Sequence, residues 1–230
     1  MINGGCCPLT IDYYQLNLMQ RIVYSLLLSL VTLLYAEAQT PIRSWLVSMP
    51  DSVMPLLTKN DRLDLIDFYE ARMRAVVNNR FDGKSSLDTL TENFLRISYT
   101  PSADVTMKLL PVNDTTDILC MATTAKAMVN DSRIAFFDMQ WQPLDLTFYM
   151  HEPRIEDFRS TVQSDSAQLA WNKLDAFFRT YHLCAESTEL KCVFTTPDHL
   201  SADDRKEVTP YLRREPLTYR WTNGKYESHE

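Results

Sequence analysis

The sequence predicts an α+β fold: antiparallel sheets with packed helices. Two observations carry this. Apolar residues recur at period two in short segments, separated by turn-forming clusters at a spacing of about ten residues. These segments come in blocks, each preceded by a stretch of helical spacing, whereas a parallel sheet would alternate strand with helix.

The first block opens on a short apolar lead-in, Arg43 to Val47, and a turn at Met49-Pro50-Asp51-Ser52. Asn60 then serves as the N-cap of a helix from Asp61 to Met73, with Leu63, Leu65, Ile66, Phe68 and Met73 at helical spacing. Its acids come early and its arginines late, as the helix dipole favours. Asp82-Gly83 closes this part. Four strands follow at Phe94 to Tyr99, Val105 to Val112, Asp117 to Thr124 and Arg133 to Met139. Thr100-Pro101-Ser102, Asn113-Asp114-Thr115-Thr116 and Asn130-Asp131-Ser132 supply the turns of a meander.

The second block begins with a helical region from Arg154 to Thr180, its apolar stripe formed by Leu169, Ala170, Trp171, Leu174, Phe177 and Phe178. Strands return at Tyr181 to Ala185, Leu190 to Thr195 and Leu217 to Thr222. A short helix capped at Ser201 and reaching Leu212 comes between the last two. Asn223-Gly224 is a hairpin turn with Lys225 to Glu227 as its return strand. The chain thus divides into 1–38, 39–148 and 149–230, the last two packed together. Their similar plans are compatible with two helix-plus-four-strand repeats. That element order resembles the plan of the beta-lactamase-inhibitor protein.

Residues 1–38 are expected to be an export signal, not part of the fold. Ile22 to Tyr35 is an uncharged apolar run, preceded by Arg21 and followed by Ala36-Glu37-Ala38. A basic start, an apolar centre and a small-x-small exit are the parts of a secretory signal, cleaved here after Ala38. The run is shorter than the roughly 20 residues of a spanning helix, so no membrane span is expected after cleavage. Met19-Gln20-Arg21 is a better start than Met1, because it sets one positive charge directly ahead of the apolar run. Cys6 and Cys7 precede the run and so cannot carry the lipid of a lipoprotein. The address expected is periplasmic or secreted.

The formal charge of −7 argues against nucleic acid as a partner, since that surface asks for basic proteins. Beyond the signal only Cys120, Cys184 and Cys192 remain, too few for a disulfide scaffold. A turn centred on Thr188 would set Cys184 and Cys192 opposite each other, in position for a cross-strand disulfide. The alternative is two free buried thiols. Cys120, within the apolar run Ile118-Leu119-Cys120-Met121, is expected to be a buried, inert thiol.

Neither a catalytic nor a metal motif stands out. His151, His182, His199 and His229 lack partners at metal-ligand spacing, although His199 could pair with Asp198 or Asp203. With Gly83 and Gly224 as the only glycines after the signal, a glycine-built phosphate cradle is excluded, and no cofactor is expected. Acid pairs such as Asp64 with Asp67, and Asp203 with Asp204, read as solvated helix faces. Trp141, Trp171, Trp221, Tyr99, Phe136, Phe137, Tyr219 and Tyr226 either line a binding face or fill the core. Period-two placement favours the core.

Several stretches together resemble a family of exported proteins of unknown function found in Bacteroidales. They are Met49-Pro50-Asp51-Ser52-Val53-Met54-Pro55-Leu56-Leu57-Thr58, Leu65-Ile66-Asp67-Phe68, Met107-Lys108-Leu109-Leu110-Pro111-Val112-Asn113-Asp114 and Asp131-Ser132-Arg133-Ile134. The resemblance spans about Pro41 to Glu227 and implies an envelope location. It also implies O-glycosylation where Asp is followed by Ser or Thr and then a small or aliphatic residue. That pattern marks Ser52, Thr89, Thr115 and Ser166. Such pairs also serve as plain turns and N-caps.

The function expected is that of a noncatalytic envelope protein binding a partner protein or ligand through a sheet face or loops. The competing expectation is a periplasmic hydrolase whose active site carries no motif. A shallow aromatic or apolar patch would favour the first, and a pocket of converging, pKa-shifted groups the second.

Overall fold

Period-two alternation runs furthest in the strand Ala103–Asn113 (β4), and it decides the architecture. Val105, Met107 and Leu109 point into one core, while Leu110 points into another on the opposite face. A strand buried on both faces belongs to a middle layer. The computed structural model describes residues 41–162 and 164–229, and residue 23 besides. The expected signal, its start at Met19, its cleavage point and Cys6 and Cys7 lie outside the described residues, Val23 apart.

The middle layer is a seven-stranded antiparallel sheet in sequence order: β1 (Val76–Asn78), β2 (Lys84–Leu90), β3 (Phe94–Thr100), β4, β5 (Thr116–Ala125), β6 (Asp131–Phe137) and β7 (Pro143–Leu144). On one face sit α1 (Ile42–Ser48) and α2 (Lys59–Glu70). Trp45, Leu46, Leu65 and Ile66 close that core against Leu95, Ile97, Met107 and Leu119. On the other face lies a second sheet of four strands, ordered β11-β10-β9-β8. These are β8 (Arg179–Leu183), β9 (Leu190–Phe194), β10 (Leu217–Thr222) and β11 (Lys225–His229). Tyr181, Leu190, Cys192, Tyr219 and Tyr226 meet Phe94, Leu110, Ile118, Cys120 and Phe136 there. Both expected halves therefore contribute to one core, and residues Thr40–Glu230 hold together as one unit.

The α+β class stands, with sheets of seven and four strands in place of two equal repeats. Strands β3 to β6 and β8 to β11 fall where alternation sets them. The extra members are β1, β2 and β7: β1 and β7 are only three and two residues long, and β2 carries few apolar residues and is fixed by polar bonds instead. Ser85, 1% exposed, donates to the Tyr99 carbonyl at 2.6 Å and accepts from Asn79 Nδ2 at 3.3 Å.

Helix α2 starts earlier than Asn60 would have it, because Thr58 and Asp61 form a reciprocal capping box. The Thr58 hydroxyl accepts the Asp61 N–H at 3.2 Å, and Asp61 Oδ2 accepts the Thr58 N–H at 2.7 Å. Arg62 of α2 is buried. Its guanidinium donates to the carbonyls of Leu46, at 2.9 Å, of Leu57, at 2.7 Å, and of Met49, and pairs with Asp51 at 3.1 Å. Two of those carbonyls lie at the C-terminal end of α1, where a cation is favoured.

The long helix expected over Arg154 to Thr180 does not form. In its place are a 3-10 turn (Ile155–Phe158), α4 (Asp165–Trp171, capped by Ser164) and the start of β8. Ala167, Ala170 and Trp171 are buried, whereas Leu169 faces outward at 67% exposure. Phe177, assigned to the same helical stripe, packs instead, tilted, against Phe158 and Phe194. Apolar residues of a loop crossing a core here mimicked a helix face. Between β7 and that 3-10 turn lies α3 (Leu146–Tyr149), capped by Asp145. A last short helix, α5 (Ala202–Val208), continues into a 3-10 turn at Thr209–Tyr211.

Candidate functional site

Beyond α3 the chain pairs for one residue with the outer edge of β11, Met150 opposite Tyr226 in parallel, and then leaves it. The departing segment, His151 to Arg154, separates two cavities. The larger, 620 Å³, lies between this segment, α3 and the start of β8, with an apolar floor of Leu146, Met150, Ile155 and Phe177. The smaller, 240 Å³, is lined by His151, Glu152, Asp157, Arg213, Ser228 and His229. His151 and Glu152 border both.

Arg179 organises the larger cavity. Its guanidinium lies over the rings of Phe177, at 4.9 Å, and Tyr181, at 5.5 Å. It donates to the Tyr181 hydroxyl at 2.8 Å and to Glu152 Oε1 at 2.8 Å. Burial raises the pKa of Tyr181 well above the ordinary phenol value, more than Arg179 lowers it. Burial does the same to Tyr219, which lines the smaller cavity. The Cys192 thiol is pushed up to about 12, again by burial. These groups stay protonated at neutral pH and act as hydrogen-bonding or apolar surface.

The structure also places the other residues singled out in the sequence. Cys184 and Cys192 are thiols. The β8–β9 register sets Cys192 opposite Tyr181, while the Cys184 N–H donates to the Glu189 carbonyl at 3.2 Å. The turn therefore centres between Glu186 and Ser187, not on Thr188. The two cysteines end three residues out of register, about 10 Å along the strand, beyond disulfide reach. Cys120 is buried and inert, its pKa raised by burial.

His199 meets the Phe178 ring edge-on at 5.8 Å, and Asp198 pairs with Arg205 at 3.4 Å. His182 shares a hydrogen bond with Thr180 at 3.0 Å, and burial, with a smaller contribution from Arg96, lowers its pKa. Asp64 and Asp67 are exposed on α2, and Asp204 pairs with Lys173 at 2.6 Å. Among the described residues, no cluster of His, Cys, Asp and Glu could hold a metal ion, and no helix is long and apolar enough to cross a membrane.

All of the singled-out aromatics except Trp171 fill or pack against the two cores. Trp141 packs edge-on against Trp45 at 5.9 Å, and Trp171 lies under Arg159 at 4.5 Å. Trp221 stacks with Tyr149 and Phe136. Ser52, Thr115 and Ser166 are exposed, whereas Thr89 is half-buried in β2. Sequence reasoning did not join His151 to His229, or Arg179 to Glu152, because each pair meets only through tertiary packing, with α3 set on β11 and β6. The one signal available was the turn at Asn223-Gly224, which makes β11 an edge.

Residues 34–226 match the model of a family described as a protein of unknown function, DUF3256. The chain belongs to the DUF3256 family. A solved structure is similar to it: a domain of an uncharacterized protein from Porphyromonas gingivalis W83, a member of the Bacteroidales. The two share 29% identity at a TM-score of 0.73, over 82% of this chain and 97% of that one. No curated protein matches this DUF3256 chain. The resemblance read from the sequence segments thus holds for the family and its Bacteroidales relative.

Proposed function

We propose that this chain is an exported envelope protein, periplasmic or secreted and noncatalytic, which binds a partner protein or ligand at the paired cavities around His151 and Glu152. The observation that carries the reading is the shared wall: one short segment with charged side chains borders both an apolar-floored cavity and one whose wall mixes Arg213 and Asp157 with Leu217 and Tyr219. A surface of that kind suits a ligand that is partly apolar and partly polar. Against a hydrolase stands the chemistry of the buried groups. Tyr181, Tyr219 and Cys192 are driven away from neutrality, whereas a general acid or base works best near the operating pH. Export rests on the basic-apolar-small pattern of Arg21 to Ala38. Within an exported chain, Ser52, Thr115 and Ser166 offer room for an O-linked sugar, and Thr89 offers less.

The test is recovery of an envelope partner by the wild-type chain and by His151→Glu/Arg154→Glu. Both side chains are exposed, so the fold should survive. The partner is expected to be lost with the double variant. Equal recovery, or hydrolytic turnover by the purified chain, contradicts the proposal.

A further inference from the structure

The smaller cavity is a wedge opened in a strand pairing that starts and stops. Strand β11 pairs with β10 through a two-residue turn, with Thr222 opposite Lys225, Arg220 opposite Glu227 and Thr218 opposite His229. In such a hairpin these pairs exchange backbone bonds, so the N–H and C=O of Tyr226 and Ser228 point to the outer edge. Tyr226 meets Met150 there, in parallel. If that pairing continued, Glu152 would lie opposite Ser228. Instead the chain turns away, and the cavity lies between Glu152 and Ser228 with both in its wall. The backbone groups of Ser228 make no backbone hydrogen bond across that edge among the described residues.

The charged groups of the wedge are unequally committed. Glu152 pairs with Arg179 at 2.8 Å, and Asp157 Oδ2 accepts the Arg154 N–H at 2.7 Å. The Arg213 guanidinium has no side-chain hydrogen bond or ion pair among the described residues, although its backbone N–H donates to the Phe158 carbonyl at 2.8 Å. Asp157 thus spends its carboxylate on a backbone donor, while the Arg213 guanidinium is left open to a carboxylate from outside.

We propose that this wedge takes an extended peptide segment bearing an acidic side chain, added as a strand beside β11 at Ser228 with its carboxylate on Arg213. Strand addition to an exposed edge draws affinity from main-chain bonds and specificity from side chains. A guanidinium–carboxylate pair is the charge-assisted bond that would supply that specificity. The inference rests on the partner-binding reading above and names its ligand class.

The test uses the full chain labelled with nitrogen-15 and an eight-residue peptide of alternating Thr and Val with one central Glu. Titration is expected to shift the Ser228 and His229 amides and to slow exchange at Ser228. Replacing the peptide Glu by Gln, or Arg213 by Ala, should weaken binding at least about tenfold, while Arg213→Lys should recover part of it. A peptide N-methylated on alternate amides should not bind. No shift at millimolar peptide, or equal binding of the N-methylated peptide, overturns the strand addition. Equal binding of the Gln peptide overturns the role of Arg213. If the peptide fails while His151→Glu/Arg154→Glu still loses the envelope partner, the ligand class is wrong and the binding site stands.

Discussion

Lys108 Nζ donates to the carbonyl oxygen of Ala185 at 2.8 Å, tying the centre of the seven-stranded sheet to the β8–β9 turn of the four-stranded one. The side chain is 1% exposed, and its other bond, at 3.1 Å, goes to Asn93 Oδ1. Neither acceptor is a carboxylate. Burial accordingly lowers the Lys108 pKa, and Cys184 and Glu186 offset only part of the shift.

The sign of the resulting pH dependence follows from proton counting. With its folded pKa below the unfolded one, the folded state binds fewer protons across that window, so the Lys108 contribution to stability rises with pH. The penalty for burying the ammonium is present below the lowered folded pKa. It disappears as pH rises towards the ordinary lysine value of about 10.4. Denaturant unfolding of wild type minus Lys108→Met should show that rise, and the difference isolates it from other titrations. A Lys108→Ala variant should lose about 2–4 kcal/mol at neutral pH, because it leaves a cavity and an unpaired Ala185 carbonyl.

Tyr226 supplies the opposite alkaline trend. Its hydroxyl is buried without a hydrogen-bond partner among the described residues, and burial raises its pKa well above the ordinary value. Above about pH 10 the unfolded phenol ionises and the folded one does not, so this residue lowers stability as pH rises. Tyr226→Phe should therefore unfold less readily than wild type at alkaline pH. At neutral pH it should gain up to about 1 kcal/mol, measured by the shift in urea midpoint.

Arg62 and Arg80 both reach Asp51, at 3.1 Å and 2.6 Å, but they differ in what else depends on them. Arg62→Ala should cost about 3–5 kcal/mol, since it leaves buried carbonyls unpaired around a half-exposed Asp51. Arg80→Ala, removing an exposed pair, should cost less than about 1 kcal/mol. Thermal unfolding of the two variants separates the roles.

Cys120, Cys184 and Cys192 should differ in reactivity. Cys184 is half-exposed, whereas Cys120 and Cys192 are buried with pKa values raised by burial. In a chain beginning at residue 39, a thiol reagent should label one cysteine in the native protein and three on unfolding, with no reductant needed. A requirement for reductant would contradict the register of β8 and β9.

Where side-chain alternation is strong, the fold was legible. Strands β3 to β6 and the hairpin at Asn223-Gly224 follow from it directly. It was illegible where polar bonds or loop packing decide. Strand β2 is held by Ser85 and Tyr99, and Phe177 belongs to a loop that packs like a helix. The proposed binding site was least legible of all. His151, Glu152, Arg179, Arg213 and Ser228 carry no motif, and only the early parting of the chain from β11 brings them together.

The central claim is that the paired cavities around His151 and Glu152 hold a partner. It is tested most directly by a photo-crosslinking residue placed at Glu156, in the wall of the larger cavity, and in a second chain at Met128, which is 88% exposed elsewhere. Illumination of intact cells should give a discrete adduct from position 156 and none from position 128. The same pattern from both positions, or no adduct from position 156, would contradict the account.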